Sequence, residues 1–282
     1  IFADPEKDSS APDLYDQDWA KASIHPTYIY ANGRYMVHNA WKLDRILDEV
    51  DSFRKSNRIL DVGCSAAFFL KAAKDRGWSV HGVEVAHWAA KFSSEQLGVP
   101  VFNGLLEDAR FEAGSFDVVF SSHVVEHVQR PKELIGEMKR VLRPGGALVI
   151  VVPTQFRSPT YVFFRRWYDD GPARHVSFFN RNSMERMLNE NGFRVRRSSH
   201  NIELQLVLRN LRRKFGGINP SSASSGAAAE AHVEPPYGPP LHVRVIKDIV
   251  NRVGTVFGIG DEICTVAAKV EGLNGQHKEN PR

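Results

Sequence analysis

Between Ile59 and Leu70 the chain reads Ile-Leu-Asp-Val-Gly-Cys-Ser-Ala-Ala-Phe-Phe-Leu. A short apolar run passes into small residues and then into a helix-forming stretch. Small residues let a ligand approach the backbone closely, and such turns at the carboxyl edge of an open α/β sheet are where ligands bind. Asp61 stands two positions before Gly63. The pattern G-x-G-x-x-G is absent, and neither a phosphate-cradling run of glycines nor a Walker lysine replaces it. A carboxylate here would repel a pyrophosphate; it suits a cationic, amino-acid-like group. About 20 residues further on, Glu84 closes a second apolar run, the spacing at which a strand-end carboxylate accepts hydrogen bonds from ribose hydroxyls. Three histidines are candidates for proton transfer near neutral pH. They are His127 beside Glu126, His175 at the end of Asp-Asp-Gly-Pro-Ala-Arg-His, and His123. Each has an ordinary alternative: loop capping for His127, loop hydrogen bonding for His175, a ligand wall for His123. Glu126 and His127 would also suit a divalent metal, but no Cys/His cluster has zinc spacing and no metal is expected.

These residues need a frame. Arg58–Gly63, Ser79–Val85, Val99–Phe102, Phe116–Ser121 and Ala147–Val152 read as strands. Between or before them, helices are predicted over Leu43–Phe53, Ala67–Arg76, His87–Leu97 and Pro131–Leu142, with Gly77, Gly98 and Pro131 as stop and start signals. Strands alternating with helices imply a parallel sheet covered on both faces. Further on, Asn182-Ser183 is expected to cap a helix carrying Met184, Met187 and Leu188. A sixth strand covers Phe193–Ser198, and Leu204–Phe215 reads as helix. Residues 216–240 are rich in Gly, Ser, Ala and Pro, the composition of a linker. An amphipathic helix follows, with Ile246, Ile249, Val250, Val253 and Phe257 on one face, and Glu262–Val270 is a last strand. The organisation predicted is a loose arm over 1–22, one domain over 23–270 with an insertion at 201–257, and a tail over 271–282. The amphipathic helix is expected to pack on the sheet or act as a lid, with dimerisation or membrane contact as the alternatives.

Taken in order, several segments resemble the class I S-adenosylmethionine-dependent methyltransferases. Ile59–Leu70 resembles their first motif and Gly82-Val83-Glu84-Val85 their ribose-binding acidic motif. Gly114–Val119, Val125–Val128 and Arg140–Ile150 resemble the fourth strand, the helix after it and the fifth strand. His175–Phe179 and Gly192–Val195 resemble the tail of small-molecule enzymes related to the ubiquinone-biosynthesis O-methyltransferases. The implied fold is Rossmann-like α/β, a mostly parallel seven-stranded sheet with an antiparallel last strand. The implied cofactor is S-adenosylmethionine. Asp61 and Gly63, with Cys64 and Ser65 in the same turn, would shape the methionine pocket. Glu84 would hold the ribose, Val85 would lie against the adenine, and Leu105 and Leu106 would read the adenine edge through backbone N–H groups. Ser121 to His123 would line the pocket, and His127 and His175 would serve the acceptor. Ser65 and Ala67 stand where the family often has Gly, and Leu105 where it often has Asp. The implied activity is methyl transfer to O, N or C of a small molecule; a non-catalytic binding or scaffold protein is the alternative.

Bulk properties are those of an ordinary globular protein: 42% hydrophobic and 25% charged residues, and a net charge of +4. No apolar run is long enough to span a bilayer, and Ile1–Asp16 does not read as a secretory signal, although the chain begins without Met. Two cysteines, Cys64 and Cys264, favour a reducing, cytoplasmic setting. The segment after the fourth strand reads Ser-Ser-His-Val and not Asn-Pro-Pro-Tyr, and the basic run over Arg209–Lys214 is short, so nucleic acid is not expected as partner. A homodimer is left open. Tyr161, Phe163, Phe164, Trp167 and Tyr168 could stack on an acceptor or form core, and Tyr28, Tyr30 and Tyr35 could form a lid or a packing surface.

Overall fold

The computed structural model describes residues 28–31, 34–37, 41–154, 175–202 and 241–270. The N-terminal arm, the aromatic group over 161–168, the predicted helix 204–215, the linker 216–240 and the tail lie outside the described residues. An antiparallel hairpin of β1 (Tyr28–Ala31) and β2 (Arg34–Val37) comes first, where the sequence suggested only an aromatic stretch. Then follow α1 (Trp41–Asp51), β3 (Arg58–Val62), α2 (Phe68–Asp75), β4 (Ser79–Glu84), α3 (His87–Leu97), β5 (Val101–Asn103) and β6 (Phe116–Ser122). A short 3-10 turn (Val125–His127) leads to α4 (Pro131–Val141), β7 (Leu142–Pro153), α5 (Arg181–Glu190), β8 (Phe193–Asn201), α6 (Leu241–Phe257) and β9 (Glu262–Lys269).

Seven strands form one sheet in the order β5-β4-β3-β6-β7-β9-β8. The pairs among β3 to β7 are parallel, and β9 runs antiparallel between β7 and β8. This is the sheet that the resemblance implied. Its central strands are apolar almost without alternation because helices cover both faces. One face buries Ile59, Val118 and Val149 with Leu47, Phe69 and Leu70; the other buries Leu60, Val119 and Leu148 with Ile135, Met138, Met184 and Leu188. From the adjacent central pair β3 and β6 the chain order runs outward in opposite directions. That is the switch point at which open α/β sheets leave a crevice at their carboxyl edge.

Three local expectations change. The N-cap of α5 is Asn180 and not Asn182-Ser183. Extended backbone at Asn180 lets its side chain accept from Ser183 N at 2.9 Å, while Ser183 Oγ accepts from Asn180 N at 2.9 Å. Pro144-Gly145-Gly146, whose residue types predict a turn before the fifth strand, lies within β7, where the pairing with β6 shifts register between Phe116 and Val118. The third change concerns α6. Of the outcomes expected for it, packing on the sheet or serving as a lid, packing through the apolar face is not seen: Ile246, Ile249, Val253 and Phe257 are exposed. The helix instead turns Asn251, Gly254 and Thr255 toward β8 and the residue after it. Asn251 Oδ1 accepts from Ile202 N and Thr255 Oγ1 from His200 N, both at 2.9 Å. The physical reason is that β8 is an edge strand, and the backbone donors on its open side need acceptors. Among the described residues no helix is long and apolar enough to cross a membrane.

Candidate active site

The crevice is built on the turn after β3. Gly63 has φ +75°, and a Cβ there would lie 2.3 Å from Val124 Cγ2, so only glycine fits. Gly63 N and Cys64 N both donate to Val83 O, at 2.8 and 3.1 Å. Ser65 N donates to Glu84 Oε2 at 2.7 Å and Ala86 N to Oε1 at 2.8 Å. The turn therefore ties the ends of β3 and β4 into one edge, with Glu84 as the knot. Asp61 lies beside it at 2% exposure, and its Oδ1 receives no hydrogen bond from the described residues. Burial, and then the charge of Glu84, push the Asp61 carboxyl well above its ordinary range. Burial also raises Glu84, against the opposing N–H groups of Ala86 and Ser65. Two buried acids with no cationic side chain between them among the described residues suit a cationic ligand.

The other predicted binding residues divide. Val85 and Leu105 are 39% and 52% exposed, apolar surface at the same edge. Leu106 is buried in the core, which leaves its backbone alone for recognition. Cys64 is likewise a core side chain: a Cβ at Gly82 would meet its Sγ at 2.7 Å, and burial pushes the thiol well above its ordinary range. Ser121 is fully buried and its Oγ donates to Val62 O at 3.0 Å, so its side chain pins β6 to β3 and does not line a crevice as expected. Asn103 was not foreseen. Its Nδ2 donates to Glu84 O at 2.9 Å and Val85 O at 3.0 Å, and its Oδ1 meets His87 Nδ1 at 3.0 Å. Its only sequence signal is a polar amide closing a short strand.

The histidines gather beyond β6. Val176 N and Ser177 N donate to Glu126 O at 2.9 and 3.0 Å, which clamps the segment before α5 onto the 3-10 turn. His127 and His175 thereby meet edge to face, ring centroids 4.7 Å apart. Burial, and next the neighbouring His127, lower the pKa of His175, favouring a neutral imidazole. His123 takes a left-handed backbone, φ +56°, and its ring stands between two acids. Nε2 lies 2.8 Å from Glu262 Oε1 and Nδ1 lies 3.3 Å from Glu126 Oε1. Burial opposes protonation, but Glu126 and Glu262 prevail and hold the imidazolium up to a pKa of about 10. His123 is thus a charged clasp between the β6 loop and β9. Glu262 could not be found from sequence, since it comes from the start of β9, 139 residues away.

A mixed seven-stranded sheet with acids at the ends of β3 and β4 and a glycine turn at the switch point defines an α/β protein of the class I S-adenosylmethionine-dependent methyltransferase type. The model of the methyltransferase domain family matches residues 35–198, more than half of the chain, and the chain belongs to that family. It is 29% identical over 166 residues to a ubiquinone biosynthesis O-methyltransferase of Roseobacter denitrificans, covering 54% of this chain and 66% of that protein. It is 29% identical over 145 residues to a tRNA U34 carboxymethyltransferase of Hydrogenovibrio crunogenus, covering 47% and 42%. The chain thus spans less than two thirds of the length of either relative. Among solved structures it is similar to a phosphoethanolamine N-methyltransferase 2 of Haemonchus contortus in complex with S-adenosyl-L-methionine. That likeness has a TM-score of 0.59 at 16% identity over 95% of this chain and 61% of the other, and it concerns the fold.

Proposed function

We propose that the chain binds S-adenosylmethionine at the β3–β4 edge and transfers its methyl group to a small-molecule acceptor. The observation that supports this most is the buried pair Asp61 and Glu84 around the Gly63 turn. The sulfonium and ammonium of the cofactor would supply the cation that the pair lacks, and Glu84 would accept from the ribose through lone pairs its two backbone donors leave open. In the reaction the acceptor atom attacks the methyl carbon as the carbon–sulfur bond breaks, leaving the thioether S-adenosylhomocysteine. Alignment of the two supplies most of the rate. An O–H or N–H acceptor also loses a proton, and His175, held toward its neutral form beside His127, would take it. The exposed apolar side chains of Val176 and Phe178 stand next to His175 in sequence, and Phe178 lies 6.2 Å from its ring, which favours an acceptor with an apolar or planar part. The buried thiols of Cys64 and Cys264, both free, support a reducing, cytoplasmic setting.

A non-catalytic, cofactor-binding reading draws support from Ser65 and Ala67, non-glycine residues in left-handed conformations in the binding turn. Calorimetric titration with S-adenosylmethionine and S-adenosylhomocysteine tests both. Micromolar binding of each is expected, with a loss of about tenfold or more in Asp61→Asn and in Glu84→Ala, one charge-assisted contact being worth ~1.5–3 kcal/mol. Because both acids are raised, binding of a cation should tighten as pH rises through their range and release protons. No binding of either compound would sink the assignment. Binding without transfer of labelled methyl to small-molecule pools would favour the non-catalytic reading, and transfer to RNA alone would refute the small-molecule acceptor.

A further inference from the structure

Methyl transfer does not by itself account for the chemistry gathered around Glu126. Glu126, His127 and His175 each offer one ligating atom, and these atoms lie within 4.8 Å of one another. Glu126 is 1% exposed, and neither carboxylate oxygen receives a hydrogen bond from the described residues. His123 Nδ1 comes within 3.3 Å of Oε1 but outside hydrogen-bond geometry, and its other nitrogen is engaged by Glu262. Glu126 is thus offset by an ion-pair contact with His123 but has lone pairs that no hydrogen bond fills, and a buried carboxylate in that state is open to a further cation. Two imidazoles beside it supply nitrogen donors, and the backbone bonds from Val176 and Ser177 to Glu126 O hold them there.

We propose that Glu126, His127 and His175 bind one divalent transition-metal ion, of which Zn²⁺ is the type case. Two imidazole nitrogens and one carboxylate oxygen suit a borderline ion and not Mg²⁺ or Ca²⁺, which prefer oxygen alone. Ligands at ~2.1 Å from an ion stand ~3.4 Å apart in a tetrahedron, so the widest separation closes by about 1.4 Å. Ring rotation of His127, 27% exposed, and of half-buried His175 covers that movement. Three protein ligands leave a position open, as in sites that activate water or hold a substrate oxygen. With an ion bound, His175 would be a ligand and would no longer serve as the proton acceptor; the ion would supply Lewis-acid polarisation of the acceptor group. His123 keeps Glu262 as its partner when Glu126 turns to the metal. The sequence offered Glu126 and His127 as a possible metal pair, but not His175, which comes from a second segment joined to them only through the fold.

The test uses the full, tag-free chain titrated with Co²⁺, followed by visible absorption, and then with Zn²⁺ in competition. One Co²⁺ per chain is expected, with d–d bands that Zn²⁺ abolishes. His175→Ala and Glu126→Gln should each weaken binding ~10- to 100-fold or more, and His87→Ala, on α3, should match the unaltered protein. Circular dichroism confirms folding of each variant; should Glu126→Gln not fold, His175→Ala on its exposed segment decides alone. Absence of micromolar Co²⁺ and Zn²⁺ binding, or unchanged affinity in His175→Ala, overturns the site. The proposal does not rest on methyl transfer. Titration of S-adenosylmethionine in the same samples separates the two: cofactor binding without metal binding removes only this inference, and the reverse removes only the proposed function.

Discussion

Ser65 and Ala67 carry backbone strain that glycine would not. Their φ angles are +47° and +52°, where a Cβ costs roughly 1–2 kcal/mol. That is the physical content of the family's preference for Gly at these positions, and the sequence alone showed only that something unusual replaced it. Ser65→Gly is expected to stabilise the protein by about 0.5–1 kcal/mol, strain relief exceeding the added chain entropy. Ala67 is fully buried, and Ala67→Gly should be near neutral because it also gives up packed surface. Urea unfolding measures both. A Ser65→Gly variant destabilised by more than about 1 kcal/mol would show that the side chain contributes something the left-handed turn does not explain.

At the scale of elements, α6 is the informative case. Its periodicity predicts the helix but not the face it buries. Period alone shows that two faces differ, not which one meets the protein. The edge strand β8 required acceptors, so Asn251 and Thr255 face inward. Gly254 sits between them because a Cβ there would lie 2.5 Å from Ile259 O. Gly254→Ala should therefore cost about 1–3 kcal/mol through overpacking. Val256→Asp, at 80% exposure on the outer face, should stay within about 0.5 kcal/mol. The reverse order in chemical denaturation would mean that the helix packs through its apolar side.

The whole molecule is braced at the end of the sheet opposite the site. Asp117, fully buried at the start of β6, accepts from Arg143 Nε at 2.5 Å, Lys55 N at 3.0 Å and Arg58 N at 3.3 Å. The bond gathers β3, β6 and β7 and the loop after α1. Burial works to raise the Asp117 pKa, but Arg143 and the backbone donors outweigh it and hold it low. A carboxylate depressed in the folded state stabilises above its unfolded value near ~3.9, and loses that contribution as pH falls through the folded value. Arg143→Met is expected to cost about 3–5 kcal/mol at neutral pH, since it leaves a buried charge without its partner. It should also flatten the acid limb of the stability profile, leaving S-adenosylmethionine affinity unchanged in the folded fraction. An acid limb like that of the unaltered protein would show that Asp117 is held by something other than Arg143.

What the chain's own order of residues determined is the local and periodic part. Alternating apolar runs, Gly63 at a turn and the acids Asp61 and Glu84 at strand ends were legible because each depends on neighbours a few positions away, or on one βαβ repeat. From these came the parallel sheet and its ligand-binding edge; the antiparallel last strand and the cofactor were implied by the family resemblance. Only the tertiary structure decided what depends on distance through space. It set His175 against His127, brought Glu262 to His123, turned Ser121 into the sheet and buried Glu126 beside the His123 ring. Those contacts join segments whose separation in sequence has no bearing on their separation in the fold. They form because helix packing and edge-strand hydrogen bonding choose one face of each element, and side-chain type alone does not encode that choice.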